Sequence, residues 1–232
     1  MKRTILVVGS SHGIGSALTK LLISHDCNVI GISRTHSNVP ENQQSFLSYT
    51  ADIKNPDTLP IINEPLDGIA YCPGTITLKP FTRITTDDLL NDYEVNVLGA
   101  VRVAQKYLSN LKQGQSPSLL LFSSVAAQVG MPFHTSIAAA KGAVEGLARS
   151  LAAELAPTIR VCCIAPSLTQ TPLAEKLLST PDKVEQGNIR HPLKRIGQPA
   201  DIAEMAAFLL SEKASWITGE VFHVDGGLKS VR

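Results

Sequence analysis

The sequence predicts an α/β fold, a doubly wound, seven-stranded parallel sheet with helices on both faces. Three observations predict it. Seven short runs rich in β-branched and aliphatic residues recur at 4–8, 28–32, 45–50, 68–72, 118–123, 160–165 and 221–224, the lengths and composition of strands. The stretches 16–24, 86–111, 136–155 and 200–210 carry apolar residues at three- and four-residue intervals, which is the helical period. Strands separated by helices pair in parallel, and right-handed crossovers bring the strands' carboxyl ends, with any ligand site, to one edge.

The elements follow in order. The first strand, Ile5-Leu6-Val7-Val8, runs directly into Gly9-Ser10-Ser11-His12-Gly13-Ile14-Gly15 and the first helical stretch. Asp87-Asp88 and Asp201 stand at the starts of later helices, where carboxylates suit the positive end of the dipole. Polar or proline-marked connections cover 35–44, 55–65 and 169–192. The last holds Pro172, Pro181 and Pro192 around a short amphipathic piece. A connection this long suits a substrate-covering segment, with a plain surface excursion as the alternative. A chain of 232 residues without internal repeats is expected to form one domain, 1–232.

Composition narrows the function classes. Charged residues make up 18% of the chain and the formal net charge is +1, which gives no basic stripe for nucleic acid and no acidic tail. A small neutral ligand or a protein partner remains. Cys27, Cys72, Cys162 and Cys163 contain no C-x-x-C pair and read as reduced thiols, Cys162 and Cys163 within a buried strand. The N-terminal apolar run is too short for a signal-peptide core, and no run approaches the roughly 18 apolar residues of a membrane span. No membrane association is expected, and the cytoplasm is the expected compartment.

The glycine-rich turn is informative through its context. It follows a strand and opens a helix, where glycine permits positive φ and close backbone approach. There the first helical N–H groups and the helix dipole favour a pyrophosphate. Its spacing is G-x-x-x-G-x-G. Further stations follow in order: Asp52-Ile53 after the third strand, Cys72-Pro73-Gly74 after the fourth, Asn96-Val97 in the central helix, Ser123-Ser124 ending the fifth strand, Lys141 in the next helix, Ala165-Pro166 after the sixth, and Val224-Asp225-Gly226-Gly227 near the end. In this spacing and order the sequence resembles the short-chain dehydrogenase/reductase family along essentially the whole chain.

The resemblance implies a Rossmann-type fold and a nicotinamide dinucleotide. It places Gly9, Ser11, His12, Gly13, Ile14, Gly15, Ser33, Arg34, Asp52, Ile53, Pro73, Gly74, Asn96, Lys141, Pro166 and Thr169 at the cofactor, with Thr171 as an alternative to Thr169 at the carboxamide. The second strand ends Gly31-Ile32-Ser33-Arg34, without the carboxylate that accepts from free ribose hydroxyls. Arg34 offers a planar cationic fork for a 2′-phosphate, so NADP(H) is expected over NAD(H); a solvated loop arginine is the alternative. His12 stands where many NADP-preferring relatives have Arg or Lys, which makes its help pH-dependent.

The resemblance also implies the catalytic group. Asn96, Ser124 and Lys141 match the family's asparagine, serine and lysine, but the tyrosine four residues before the lysine is Ile137. Isoleucine donates no proton, and hydride delivery to an unassisted ketone leaves a strongly basic alkoxide. His134 lies seven residues before Lys141, the offset at which the enoyl-reductase branch carries its own tyrosine. Reduction of an activated C=C bond leaves a far less basic enolate, within reach of imidazole. His134 is thus a candidate proton carrier, against the reading of a loop histidine before a helix capped by Ser136. Ser167 replaces the glycine usual after Pro166.

Two functions follow. One is an NADP(H)-dependent oxidoreductase of a small carbonyl or activated alkene, supported by the retained Asn96, Ser124 and Lys141. The other is a protein that binds the dinucleotide without turnover, a sensor or an inactive oligomer partner, supported by Ile137. Lyase or epimerase chemistry on the same frame is a third class. The helix containing Ala139, Ala140, Gly142, Ala143, Gly146 and Ala148 resembles the family's dimer-forming helix, which implies a homo-oligomer, dimer or tetramer; a helix packed within its own subunit is the alternative. No metal ligand set is expected.

Overall fold

The computed structural model describes residues 2–35 and 45–231, so the connection expected at 35–44 lies, apart from Thr35, outside the described residues. Seven strands form one sheet: β1 Thr4–Val8, β2 Asn28–Ser33, β3 Phe46–Thr50, β4 Gly68–Tyr71, β5 Ser118–Phe122, β6 Arg160–Pro166 and β7 Val221–Val224. Their order is β3-β2-β1-β4-β5-β6-β7 and every pairing is parallel. The order reverses between β1 and β4, which opens a crevice at their carboxyl ends.

Alternation along each strand feeds two apolar layers. Leu6 and Val8 of β1 pack in one layer with Leu119 and Leu121 of β5, while Ile5 and Val7 pack in the other with Leu120 and Phe122. The first layer is closed by α3 Gly99–Lys106 and α5 Thr135–Leu155, through Val103, Val144 and Ala148; the second by α1 Gly13–Ser24 and α7 Pro199–Leu210, through Leu18, Leu22 and Ala206. This is the doubly wound architecture that the strand and helix periods predict, of the Rossmann type that the resemblance implies.

The stretch 86–111 differs from the continuous helix its period predicts. It is built from α2 Thr86–Tyr93, a π-turn Glu94–Leu98, α3, and the short α4 Leu108–Lys112. The cause is a competing donor. Tyr71 Oη donates to the Val95 carbonyl at 2.6 Å, taking the acceptor an α-helix would give to Gly99, and the Gly99 N–H bonds to Glu94 O instead. Gly99 is required there, because a Cβ would lie 2.2 Å from Tyr71 Oη. The π-turn carries Asn96, buried at 2% exposure.

The remaining long connection, 169–192, folds into a 3-10 segment, Pro172–Leu178, and α6 Pro181–Arg190. No described helix is long and apolar enough to cross a membrane.

Candidate active site

β1 leaves the sheet at Gly9, whose φ is +82°, and its N–H is held by Ile32 O at 2.7 Å. The chain then turns so tightly that a Cβ on Gly15 would lie 2.1 Å from Gly9 O, so only glycine fits. His12 at the N-cap of α1 makes no side-chain capping bond, and the first turn holds no carboxylate. The amides of Gly13, Ile14 and Gly15 therefore keep the donors and positive field of an open helix end, a cradle that suits a diphosphate. Thr171 lies over this cradle, its Cγ2 3.2 Å from where a Cβ on Gly13 would stand.

Beside the cradle, the ends of β1 and β2 are joined by hydroxyls. Ser33 Oγ donates to Thr35 O at 2.6 Å, Thr35 Oγ1 donates to Ser11 Oγ at 3.1 Å, and Ser11 Oγ meets His12 Nδ1 at 2.8 Å. Arg34 is exposed next to this cluster. Asp52 follows β3, its Oδ1 accepting from Lys54 N at 3.0 Å, and Ile53 is buried. No carboxylate stands at the end of β2.

A cleft of about 490 Å³ opens along the carboxyl ends of β4, β5 and β6 and brings together Ile14, Gly74, Ser124, His134, Ile137, Lys141, Pro166 and Thr169. Lys141 Nζ donates to the Phe122 carbonyl at 2.8 Å, and burial pulls its ammonium down to about 8. Cys72 lies nearby, and burial pushes its thiol up to about 12, so it stays protonated. Ile137 is 3% exposed, one helical turn before Lys141. None of the chain's four tyrosines lines the cleft. Tyr71 is committed to Val95, Tyr107 Oη donates to Pro60 O at 2.8 Å, and burial raises both phenols.

His134 lines the cleft at the start of α5. Its Nδ1 sits 2.7 Å from Pro132 O, an atom that only accepts, so Nδ1 carries a proton and Nε2 stays open. Ser136 does not cap this helix as the loop reading supposes. It lies inside α5 and donates to the buried Asp92 Oδ2 at 2.6 Å. Asp92 also accepts from Thr75 at 2.7 Å and Thr77 at 3.1 Å. Asn96 Nδ2 donates to Thr75 Oγ1 at 2.9 Å and to Asp92 O at 2.8 Å, which fixes the amide orientation. Its Oδ1 is buried without a partner. A Cβ on Gly74 would be 3.3 Å from that oxygen and 3.7 Å from Lys141 Nζ, so Lys141, which lines the cleft, and Asn96, which does not, approach Gly74. A buried acceptor without a protein partner suits an ordered polar guest.

Pro166 ends β6 and Pro73 packs against Gly9, its N 3.1 Å from where a Cβ on that glycine would stand. Thr169 Oγ1 turns back to Ser167 O at 2.9 Å. Sequence reasoning misses Asp92, His191 and the cations of α6. His191 lines the cleft, buried, with Nε2 2.8 Å from Ser167 Oγ. The one available signal was Ser167 itself, a hydroxyl at a position where glycine is usual. Among the described residues no group of His, Cys, Asp and Glu is arranged to hold a metal.

Comparisons with known proteins agree with this fold. A family model described as Enoyl-(Acyl carrier protein) reductase matches residues 8–229. The chain is 32% identical to the 3-oxoacyl-(acyl-carrier-protein) reductase FabG of Thermotoga maritima, covering 97% of each. The ligand-free aldohexose dehydrogenase of Thermoplasma acidophilum superposes with a TM-score of 0.89 at 26% identity, over 100% of this chain and 95% of that one. The 3-ketoacyl-(acyl-carrier-protein) reductase of Brucella melitensis, complexed with NADH, gives a TM-score of 0.86 at 26% identity over 98% of each chain.

Proposed function

The chain belongs to the short-chain dehydrogenase/reductase family of oxidoreductases, and from that premise we propose that it is an NADP(H)-dependent oxidoreductase of a small carbonyl or activated alkene. The observation that carries this reading is the cleft in which Ser124 and Lys141 meet beside the open end of α1. The dinucleotide, when bound, gives or takes the hydride. The amides of Gly13, Ile14 and Gly15 hold its diphosphate. Arg34, with Ser11, His12 and Ser33, receives a 2′-phosphate at the end of β2, where no carboxylate stands. Asp52 and Ile53 flank the adenine; Gly9, Pro73, Gly74 and Pro166 shape the cofactor channel; Asn96, Lys141 and Thr169 hold the ribose and carboxamide end.

Ser124 steadies the substrate oxygen. With Ile137 apolar and no tyrosine in the cleft, the proton comes from another group, and His134, which lines the cleft and uses its Nδ1 on Pro132 O, is the proposed carrier. An activated alkene suits this arrangement better than a ketone, because an enolate demands a weaker acid than an alkoxide. Cover by the segment 169–192, which supplies one wall of the cleft, excludes water. The outward face of α5 supports a homo-oligomer, dimer or tetramer, because Cβ atoms on Gly142 and Gly146 would meet nothing within 4 Å. Four free cysteines support a cytoplasmic setting.

Ile137 favours a second reading, a protein that binds the dinucleotide without turnover. NADPH oxidation measured with a panel of enones and ketones separates the two. Enone-dependent oxidation that is lost in His134→Ala supports the first. Tight NADPH binding without oxidation on any of them supports the second, and absence of NADPH and NADH binding removes both.

A further inference from the structure

The formal charge of +1 conceals a sorting of charge around the cleft. Four side-chain cations line it, Lys141, Lys176, Lys183 and Arg190, and no Asp or Glu does among the described residues. The cover accounts for three of these cations. Its 3-10 segment and α6 carry Glu175, Asp182 and Glu185 as well, so the stretch is electrically balanced, yet all three carboxylates stay off the cleft.

Helical period explains the sorting. Lys183, Gln186, Gly187 and Arg190 stand at i, i+3, i+4 and i+7 of α6 and share one face. Gly187 docks that face: a Cβ there would lie 2.9 Å from Ile196 Cγ2 and 3.2 Å from Leu168 Cδ2. With the glycine seated, Lys183 and Arg190 are carried to the rim. Lys183 Nζ donates to Ser179 Oγ at 2.9 Å and Lys176 O at 3.2 Å, which uses two of its three N–H groups. Lys176, Lys183 and Arg190 enter no ion pair among the described residues. Apolar side chains make up much of the remaining wall, Ile76, Met131, Ile137, Leu173 and Leu177 among them.

We infer that the substrate is an amphipathic anion, its reactive carbonyl or alkene at Ser124, an apolar middle against Ile137 and Leu173, and a carboxylate or phosphate group at the rim of Lys176, Lys183 and Arg190. It departs from the neutral ligand that net charge alone suggests, and it rests on the proposed use of the cleft for substrate. The cations stand on the cover and Ser124 on the turn after β5, so the cations set which molecule enters and how it is aligned.

The test has a binding arm and a turnover arm. In the first, NADPH-saturated protein is titrated with hexanoate, hexyl phosphate and hexanol by NMR. The two anions are expected to bind at least about tenfold tighter than the alcohol, as a charge-assisted contact requires. The preference is expected to vanish in Lys183→Gln/Arg190→Gln, and the tighter of the two anions identifies the group. In the second arm, the ratio of kcat/KM for an enone carboxylate to that for its amide is expected to fall by at least about tenfold in the same variant. Affinity for both hexanoate and hexyl phosphate no greater than for hexanol overturns the inference. So does a variant that weakens NADPH binding instead of anion discrimination, since the cations then serve the cofactor. Hexanoate discrimination without turnover of either enone leaves the anion site standing and removes only the oxidoreductase reading.

Discussion

Ser167 Oγ stands 2.8 Å from Nε2 of His191, whose Nδ1 lies 2.6 Å from the carbonyl oxygen of Gly187. A carbonyl only accepts, so in the neutral ring Nδ1 carries the proton and Nε2 accepts from the Ser167 hydroxyl. The bond ties the end of β6 to the end of α6 and so fastens the cover beside the cleft. Ser167→Ala leaves a buried ring nitrogen without a donor, a loss of about 1–3 kcal/mol. Urea unfolding is expected to show that loss, and Ser167→Thr, which keeps the hydroxyl, to recover most of it. An unchanged midpoint in Ser167→Ala removes this bond from what holds α6.

Ile137 points into the cleft one helical turn before Lys141, where a phenol would meet both the ammonium and the substrate. Restoring it, as Ile137→Tyr, supplies a general acid whose typical worth is about 10²–10⁴-fold. Ketone reduction is expected to rise by an amount in that range, with enone reduction changing far less. If ketone turnover stays flat while NADPH still binds, the missing phenol is not what limits carbonyl chemistry here.

The parts of this site differ in how far the sequence reveals them. Strands covered on both faces must be apolar on both, so β1 and β5 read as continuous aliphatic runs. The phosphate turn is equally legible, because positive φ at Gly9 and the close approach at Gly15 are local constraints that only glycine satisfies. The π-turn is not legible. Its apolar spacing continues through 94–98, and what breaks the helix is Tyr71, 24 residues upstream, taking the Val95 carbonyl. Ser167–His191 and the cationic face of α6 are hidden for a related reason. Both depend on how 169–192 folds back over the sheet, and a balanced charge count says nothing about which face each charge occupies.

Arg34 sits exposed beyond β2, next to the Ser11, His12, Ser33 and Thr35 hydrogen-bond chain. A guanidinium meeting a 2′-phosphate makes charge-assisted bonds worth about 1.5–3 kcal/mol, or about 10–100-fold in affinity. Arg34→Ala is expected to weaken NADPH by that factor and NADH by less than about threefold, read by calorimetric titration. Equal weakening of both cofactors places Arg34 outside the 2′-phosphate site.

Lys141 gives a pH signature that needs no substrate. Burial lowers its ammonium from 10.5 to about 8, offset in part by the carboxylate of Asp92. Between those two values the unfolded chain binds more protons than the folded one, so stability rises with pH there. The burial penalty is fully present below about pH 8 and is relieved as pH climbs toward 10.5. Its size is about 3 kcal/mol, and the bond from Nζ to Phe122 O returns about 1 kcal/mol of it. Lys141→Met in the cofactor-free protein is therefore expected to be more stable than the parent at pH 7. Denaturant midpoints followed up to pH 10.5 are expected to converge and then cross, as the parent keeps its hydrogen bond without the charge. A difference between the two proteins that stays constant across this range means Lys141 is not held near 8, and that its ammonium is compensated within the fold.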